Sequence, residues 1–258
     1  MNTRLRTLLV YASLLTLSLA SYSAHTSTLP VVKIFSEVSY EVLVAGGMLS
    51  RDRTHQFSTI GHGTGFVMET SQGRFIVTAA HVLAGPAKPT TIGDGKTQVD
   101  LTAANVSLTN HQVRVRVGEI SIRPSAVYLD RPRDVAVLAL SDDDWRLVGS
   151  PPFIIRQLAT PAARTEVTVY GFPGQASAPM LRRATVLEVQ RDFFTINENL
   201  AGGFSGGPVV DSGERLVGMV LRSAETQARI LNAGVIDQIA RNLRSQLQAL
   251  GEPHVISP

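Results

Sequence analysis

Three stretches, far apart in the chain, carry residue types suited to acyl transfer. In Ala201-Gly202-Gly203-Phe204-Ser205-Gly206-Gly207-Pro208 a serine sits among glycines. Glycine lets a backbone turn tightly and approach a ligand closely, so the N–H groups of Gly203 and Ser205 can converge on one oxygen beside the Ser205 hydroxyl. In Phe75-Ile76-Val77-Thr78-Ala79-Ala80-His81-Val82-Leu83 an apolar run ends in small residues at a histidine, which leaves the imidazole uncrowded at an element's end. In Asp134-Val135-Ala136-Val137-Leu138-Ala139-Leu140 a carboxylate opens an almost wholly apolar run. A carboxylate there is costly unless it is hydrogen-bonded, and an imidazole N–H is a suitable partner. Asp130 is the nearest competitor, but only Asp134 adjoins the apolar run directly. Together these residues would perform nucleophilic catalysis, with Ser205 as nucleophile, His81 as its base and Asp134 orienting the base. Each alone also has an ordinary use: a solvated turn serine, a backbone-satisfied histidine, a strand-starting cap.

The residues run in the order His81, Asp134, Ser205, which is the order of chymotrypsin-type double barrels. Gly203 to Gly207 also satisfies the Gly-x-Ser-x-Gly elbow of α/β-hydrolases. That reading requires an acid and then a histidine downstream, here Asp237 and His254, in a chain of alternating strands and helices. Strands dominate instead. The three motifs, with Gly63-Thr64-Gly65-Phe66 before the histidine, resemble trypsin-like serine proteases, nearest to the bacterial HtrA/DegP-type protease domain. The resemblance covers roughly residues 31 to 250. It implies two six-stranded antiparallel β-barrels with the site between them, and peptide-bond hydrolysis through an acyl-enzyme on Ser205. It also implies an oxyanion hole made by the Gly203 and Ser205 N–H groups, and no cofactor.

The elements that must position these residues are short apolar runs: 31–35, 38–44, 65–68 and 75–78. In Gln112-Val113-Arg114-Val115-Arg116-Val117 the alternation puts valines on one face and arginines on the other. Residues 134–140 read as a strand buried on both faces. Ser141-Asp142-Asp143-Asp144 and Gly149-Ser150-Pro151-Pro152 read as polar, turn-rich chain crossing between two halves. Further runs follow at 166–172, 184–190, 193–197, 208–211, 215–221 and 230–233. Ile236, Ile239, Leu243, Leu247 and Leu250 then fall at helical spacing before Gly251 and Pro253. The expected layout is a first barrel over about 31–145, a second over about 153–234 and a C-terminal helix over about 235–250.

Arg4 and Arg6 precede an apolar run from Leu8 to Ala20 that ends in small residues. This is the pattern of a cleaved secretory signal, with residues 1–24 as signal and start of leader and 25–258 as the protease domain. The expected address is the periplasm or the cell exterior, with no membrane association after cleavage. The chain has no cysteine, so stability in an oxidising compartment rests on the core. Its 258 residues and 44% hydrophobic content suffice for one. The net charge of +3 falls to about +1 without Arg4 and Arg6, too little to suggest nucleic acid as partner. The expected partners are peptides or unfolded proteins. His25, His55, His62, His111 and His254 show no metal-ligand spacing and read as solvated or turn residues.

Two departures from the resembled family matter. A chain ending at Pro258 is expected to lack the appended PDZ domain. Position 204 carries Phe where related proteases carry Asp or Asn, so an N-terminal ion pair is not expected to hold the Gly203 N–H. The one reading from another class is a catalytically silent barrel that binds peptides by strand addition, and Phe204 is its only support. By resemblance, Asn199 forms the floor of the primary pocket and Ser223 lies on its wall. An uncharged floor disfavours Arg or Lys before the scissile bond, because an unpaired buried charge is costly. The expected preference is for uncharged residues such as Val, Ala, Leu or Thr.

Overall fold

The computed structural model describes residues 31–44, 53–71, 73–84, 91–93, 98–100, 105–149, 153–154 and 157–250. The signal segment and its leader, with His25 and His254, lie outside the described residues.

The first half opens with three antiparallel strands, β1 (Val31–Val44), β2 (Arg53–Thr70) and β3 (Gly73–Ala79), followed by a single turn of helix, α1 (Ala80–Leu83). A small hairpin, β4 (Thr91–Gly93) with β5 (Gln98–Asp100), stands apart from the main sheet. Then come β6 (Asn105–Val117), β7 (Ile120–Ile122), β8 (Ala126–Asp130) and β9 (Val135–Ala139). The period-2 pattern of β6 does what its sequence implies: Val115 is buried, Val113 and Val117 pack against the core, and Arg114 is exposed. β9 is the buried strand expected at 134–140, fully covered from Val135 to Leu138. β8 has no clean alternation, with all five residues half-buried, which is why periodicity does not reveal it.

The connection read as turn-rich chain is instead partly a helix, α2 (Asp142–Val148). Ser141 caps it by accepting from the Asp144 N–H at 3.2 Å. Three aspartates occupy the first turn, where a helix N-terminus favours negative charge, and Gly149 ends it at φ 62°. The cluster that suggested a loop is therefore a start and stop signal for a helix. The short strand β10 (Phe153–Ile154) then pairs parallel to β2.

The second half contains β11 (Glu166–Gly171), β12 (Met180–Val189), β13 (Phe193–Ile196), β14 (Pro208–Val210), β15 (Leu216–Ser223) and β16 (Ala228–Asn232). They close as a six-stranded antiparallel barrel in the order β11-β12-β13-β16-β15-β14, with Val169 opposite Val209 at the closing pair. The first half runs β7-β6-β1-β2-β3-β9-β8 with β10 beside β2. Among the described residues it is an open, curled eight-stranded sheet rather than a closed six-stranded barrel. The double-barrel layout thus holds, with one barrel closed and one half-closed.

The closing helix, α3 (Ala233–Leu250), buries Ile236, Ile239 and Ala240 and packs on β15 and β16. Its isoleucines share one apolar cluster with Met219 and Leu221 of β15 and with β2, β3 and β9 of the first sheet. A second cluster fills the inside of the closed barrel. The arrangement of the two halves is thereby fixed by packed apolar surface.

Candidate active site

Strand register brings His81 and Asp134 together. β3 and β9 pair with Ala79 opposite Val135, so the residues just beyond that pair, His81 on one chain and Asp134 on the other, become neighbours. The small side chains of Ala79 and Ala80 allow the close approach, and the Ala80 N–H donates to the Asp134 carbonyl at 3.0 Å. Asp134 itself ends a turn, with its N–H on the Arg131 carbonyl at 3.2 Å and a left-handed backbone at φ 58°. That bend aims the carboxylate back at α1. Its Oδ1 accepts from the His81 N–H at 2.9 Å, and its Oδ2 lies 2.7 Å from Nδ1 of the imidazole. An ionised carboxylate can only accept, so Nδ1 carries the proton, and in the neutral imidazole the lone pair then lies on Nε2. The competing Asp130 is occupied elsewhere, accepting from the Arg133 N–H at 3.0 Å and its guanidinium at 2.9 Å.

The loop that carries Ser205 leaves β13 and re-enters the barrel at β14. The Phe204 N–H closes a four-residue turn on the Ala201 carbonyl at 3.3 Å, and Gly203 at its third position has φ 104°. That is the geometry of a type II turn, which needs glycine there. A side chain at Gly203 would overlap the Phe172 carbonyl. Gly206 has φ 80°, and a side chain there would overlap the Thr64 carbonyl and the Thr78 hydroxyl. Among the described residues nothing accepts the Gly203 or Ser205 N–H. The Ser205 hydroxyl makes no hydrogen bond to His81, a looseness common in unliganded sites.

Phe204 is buried inside the closed barrel, against Val169, Val209 and the other apolar residues there. Its ring rests on Gly171, where a Cβ would come within 2.8 Å of Cγ. An apolar plug thus takes the place of an ion pair in anchoring this loop.

Asn199 is exposed and Ser223 half-buried, and the Ser223 hydroxyl lies 3.3 Å from Asn199 Oδ1 and accepts from the Leu200 N–H at 2.9 Å. The two residues expected at the primary pocket are therefore adjacent. Asp237, the acid of the hydrolase alternative, is bound to Arg241 on the surface of α3. A cavity of about 760 Å³ lies between β1, β6, β8 and α1 and touches His81 and Asp134. Ser205 and Gly203 do not line it, so it is the hollow of the open sheet and not the cleft for the scissile bond.

His111 is exposed, in keeping with the sequence reading, whereas His62 departs from it. His111 Nε2 bonds the Ser36 hydroxyl at 2.9 Å. His62 has its Nε2 buried without a partner among the described residues, facing the position where a Gly203 side chain would stand. Burial, and then the nearby Lys33 ammonium, push its imidazole below the ordinary histidine range. Lys33 is itself buried and spans the cleft, its ammonium on the carbonyls of Ala176 at 3.0 Å and Gly174 at 3.4 Å. Motif spacing gave no signal for His62 or Lys33, because both enter the site through cross-strand register. Among the described residues no cluster of metal-ligating side chains occurs, and no helix is long and apolar enough to cross a membrane.

Known proteins place this geometry in context. The chain is 28% identical over 199 residues to the serine proteases Rv3671c and MT3772 of two Mycobacterium tuberculosis strains, an alignment covering 69% of this chain and 41% of each relative. It thus spans well under half of the length of these relatives. The crystal structure of the Rv3671c protease in its active form superposes with a TM-score of 0.55 at 22% identity, covering 93% of this chain and 89% of the other. The serine endoprotease from Yersinia pestis gives 0.51 at 17% identity, with 84% and 63% covered. The family model for the trypsin-like peptidase domain matches residues 63–219, a stretch that holds His81, Asp134 and Ser205. With that match running over more than half of its length, the chain belongs to the trypsin-like peptidase domain family.

Proposed function

We propose that the protein is an exported serine endopeptidase in which Ser205, His81 and Asp134 form the catalytic triad. The observation that carries this reading is the imidazole held by Asp134 through Nδ1, which leaves Nε2 as the ring nitrogen not engaged by Asp134. In the reaction, Ser205 Oγ attacks the carbonyl carbon of the scissile bond while Nε2 takes its proton. The negative oxygen that forms accepts from the Gly203 and Ser205 N–H groups, neither of which has an internal acceptor among the described residues. The imidazolium, stabilised by Asp134, then gives its proton to the leaving amine, and the C–N bond breaks to leave an ester on Ser205. Water, deprotonated by the same imidazole, hydrolyses that ester. The scheme uses no metal or cofactor.

Asn199 and Ser223 border the primary pocket in this reading and supply no carboxylate, so the residue before the cleaved bond is small or medium and uncharged. The substrates are peptides or unfolded proteins, which can lie extended in the cleft. Export rests on the signal pattern of the first 24 residues.

Labelling with a serine-directed fluorophosphonate tests the reading. The expected result is a single adduct on Ser205 that is lost in His81→Ala. A folded protein that does not label would instead indicate a peptide-binding barrel without catalysis.

A further inference from the structure

Thr64 lies in β2 between Gly63 and Gly65 and has no exposed surface. It is the point at which the first sheet touches the nucleophile loop of the second barrel. A side chain at Gly63 would meet the Ser205 carbonyl at 3.0 Å and both methyls of Val82, so only glycine lets the two backbones come this close. Thr64 then uses every polar atom it has. Its N–H donates to the Ser205 carbonyl at 2.8 Å, and its own carbonyl accepts from the Thr78 hydroxyl at 2.6 Å. Its hydroxyl accepts from the Phe172 N–H at 2.9 Å and lies 2.6 Å from the Gly203 carbonyl. Because the Phe172 N–H can only donate, the hydroxyl hydrogen must point at the Gly203 carbonyl.

The consequence follows from counting peptide planes. The two N–H groups that would hold the oxyanion belong to the planes Gly202–Gly203 and Phe204–Ser205. The first plane is held by the Gly174 N–H on the Gly202 carbonyl at 3.1 Å, and the second by the Gly207 N–H on the Phe204 carbonyl at 2.9 Å. Between them lies the Gly203–Phe204 plane, whose N–H makes the longer 3.3 Å bond to the Ala201 carbonyl and whose carbonyl the Thr64 hydroxyl grips at 2.6 Å. Rotation of that middle plane would turn one donor away from the other, and Gly203, having no Cβ, offers little resistance of its own.

We propose that Thr64 is a positioning residue for the proposed oxyanion hole, its hydroxyl locking the peptide between the two donors so that both N–H groups aim at one point. The inference rests on the triad reading above and deepens it. Through Thr78, three residues before His81, the same residue also ties the strand carrying the base to the loop carrying the nucleophile.

Thr64→Val replaces the hydroxyl by a methyl of equal size. The expected result is a fall in kcat of about 10- to 100-fold with KM changed by less than about threefold, since the oxyanion contact forms mainly in the transition state. The rate of Ser205 modification by a fluorophosphonate, whose phosphoryl oxygen would occupy the same position, should fall in parallel. Thr64→Ser should recover most of the loss. Should Thr64→Val fail to fold, Thr64→Ser against Thr64→Ala decides, because both lose the methyl and only one keeps the hydroxyl. Equal rates in that pair, a Thr64→Val enzyme with undiminished kcat, or a loss confined to KM would each overturn the inference while leaving the triad intact. A wild-type protein that neither hydrolyses peptides nor labels at Ser205 would overturn the triad reading first, and this inference with it.

Discussion

Asp134 adopts a left-handed backbone that Asp tolerates better than most residues, and this bend lets one carboxylate meet both the backbone N–H and the Nδ1 of His81. An amide at that position can present an N–H to Nδ1 and favour the wrong tautomer. Asp134→Asn should therefore lower kcat by about 10³- to 10⁴-fold with an unchanged thermal midpoint. Steady-state kinetics on the folded variant check it. His62 makes a different prediction. Its pKa is lowered in the folded state by burial first and by Lys33 second, so on unfolding it takes up a proton wherever the solvent is acidic enough to protonate the free imidazole. Its contribution is complete above the ordinary histidine pKa of about 6.5 and is lost as pH falls below it. The thermal midpoint of wild type should drop between about pH 7 and pH 5.5 more steeply than that of His62→Gln, as measured by calorimetry at matched salt. Identical slopes would contradict the assignment. His81, Asp134 and Ser205 could be singled out in the sequence because each sits in a motif with its own local signal. His62 and Thr64 were not, since their roles depend on which strand lies opposite and on what backbone lies beyond it.

Among the elements, the loop that carries Ser205 depends on an apolar anchor. Phe204 fills the inside of the closed barrel, and Phe204→Ala should cost about 3–5 kcal/mol, measured as a shift in denaturant midpoint. Activity should fall with it, because the residue lies between the two proposed oxyanion donors. Gly171→Ala should act in the same direction, since its new methyl would meet the Phe204 ring. In the sequence Phe204 stood out only as a departure from the charged or amide residue of related proteases. What it does instead could not be read there, because the cavity it fills is made by strands from all around the barrel. The α2 helix gives the opposite lesson. Ser141, the three aspartates and Gly149 were all visible, but a four-residue polar cluster is read as a loop unless its spacing is tested as a cap. Ser141→Ala should destabilise the protein by about 1 kcal/mol through the lost cap.

For the molecule as a whole, the two halves differ in closure although their strands look alike in the sequence. Alternation and turn spacing identified an all-β chain with two groups of strands and a closing helix. Closure is set by whether the first and last strands of a group meet in register, as Val169 and Val209 do in the second half, and no local pattern encodes that. The halves meet at the proposed cleft, where Thr64 and Lys33 of the first sheet bond the Gly203 and Ala176 carbonyls of the second half. The central claim is that this cleft hydrolyses peptide bonds by way of Ser205. The most direct measurement is hydrolysis of a denatured protein mixture by wild type and by Ser205→Ala, with folding of both verified by circular dichroism and thermal melting. Wild type should cleave, mainly after uncharged residues, and a variant of equal stability should cleave at least about 10³-fold less. Undiminished cleavage by folded Ser205→Ala would contradict it.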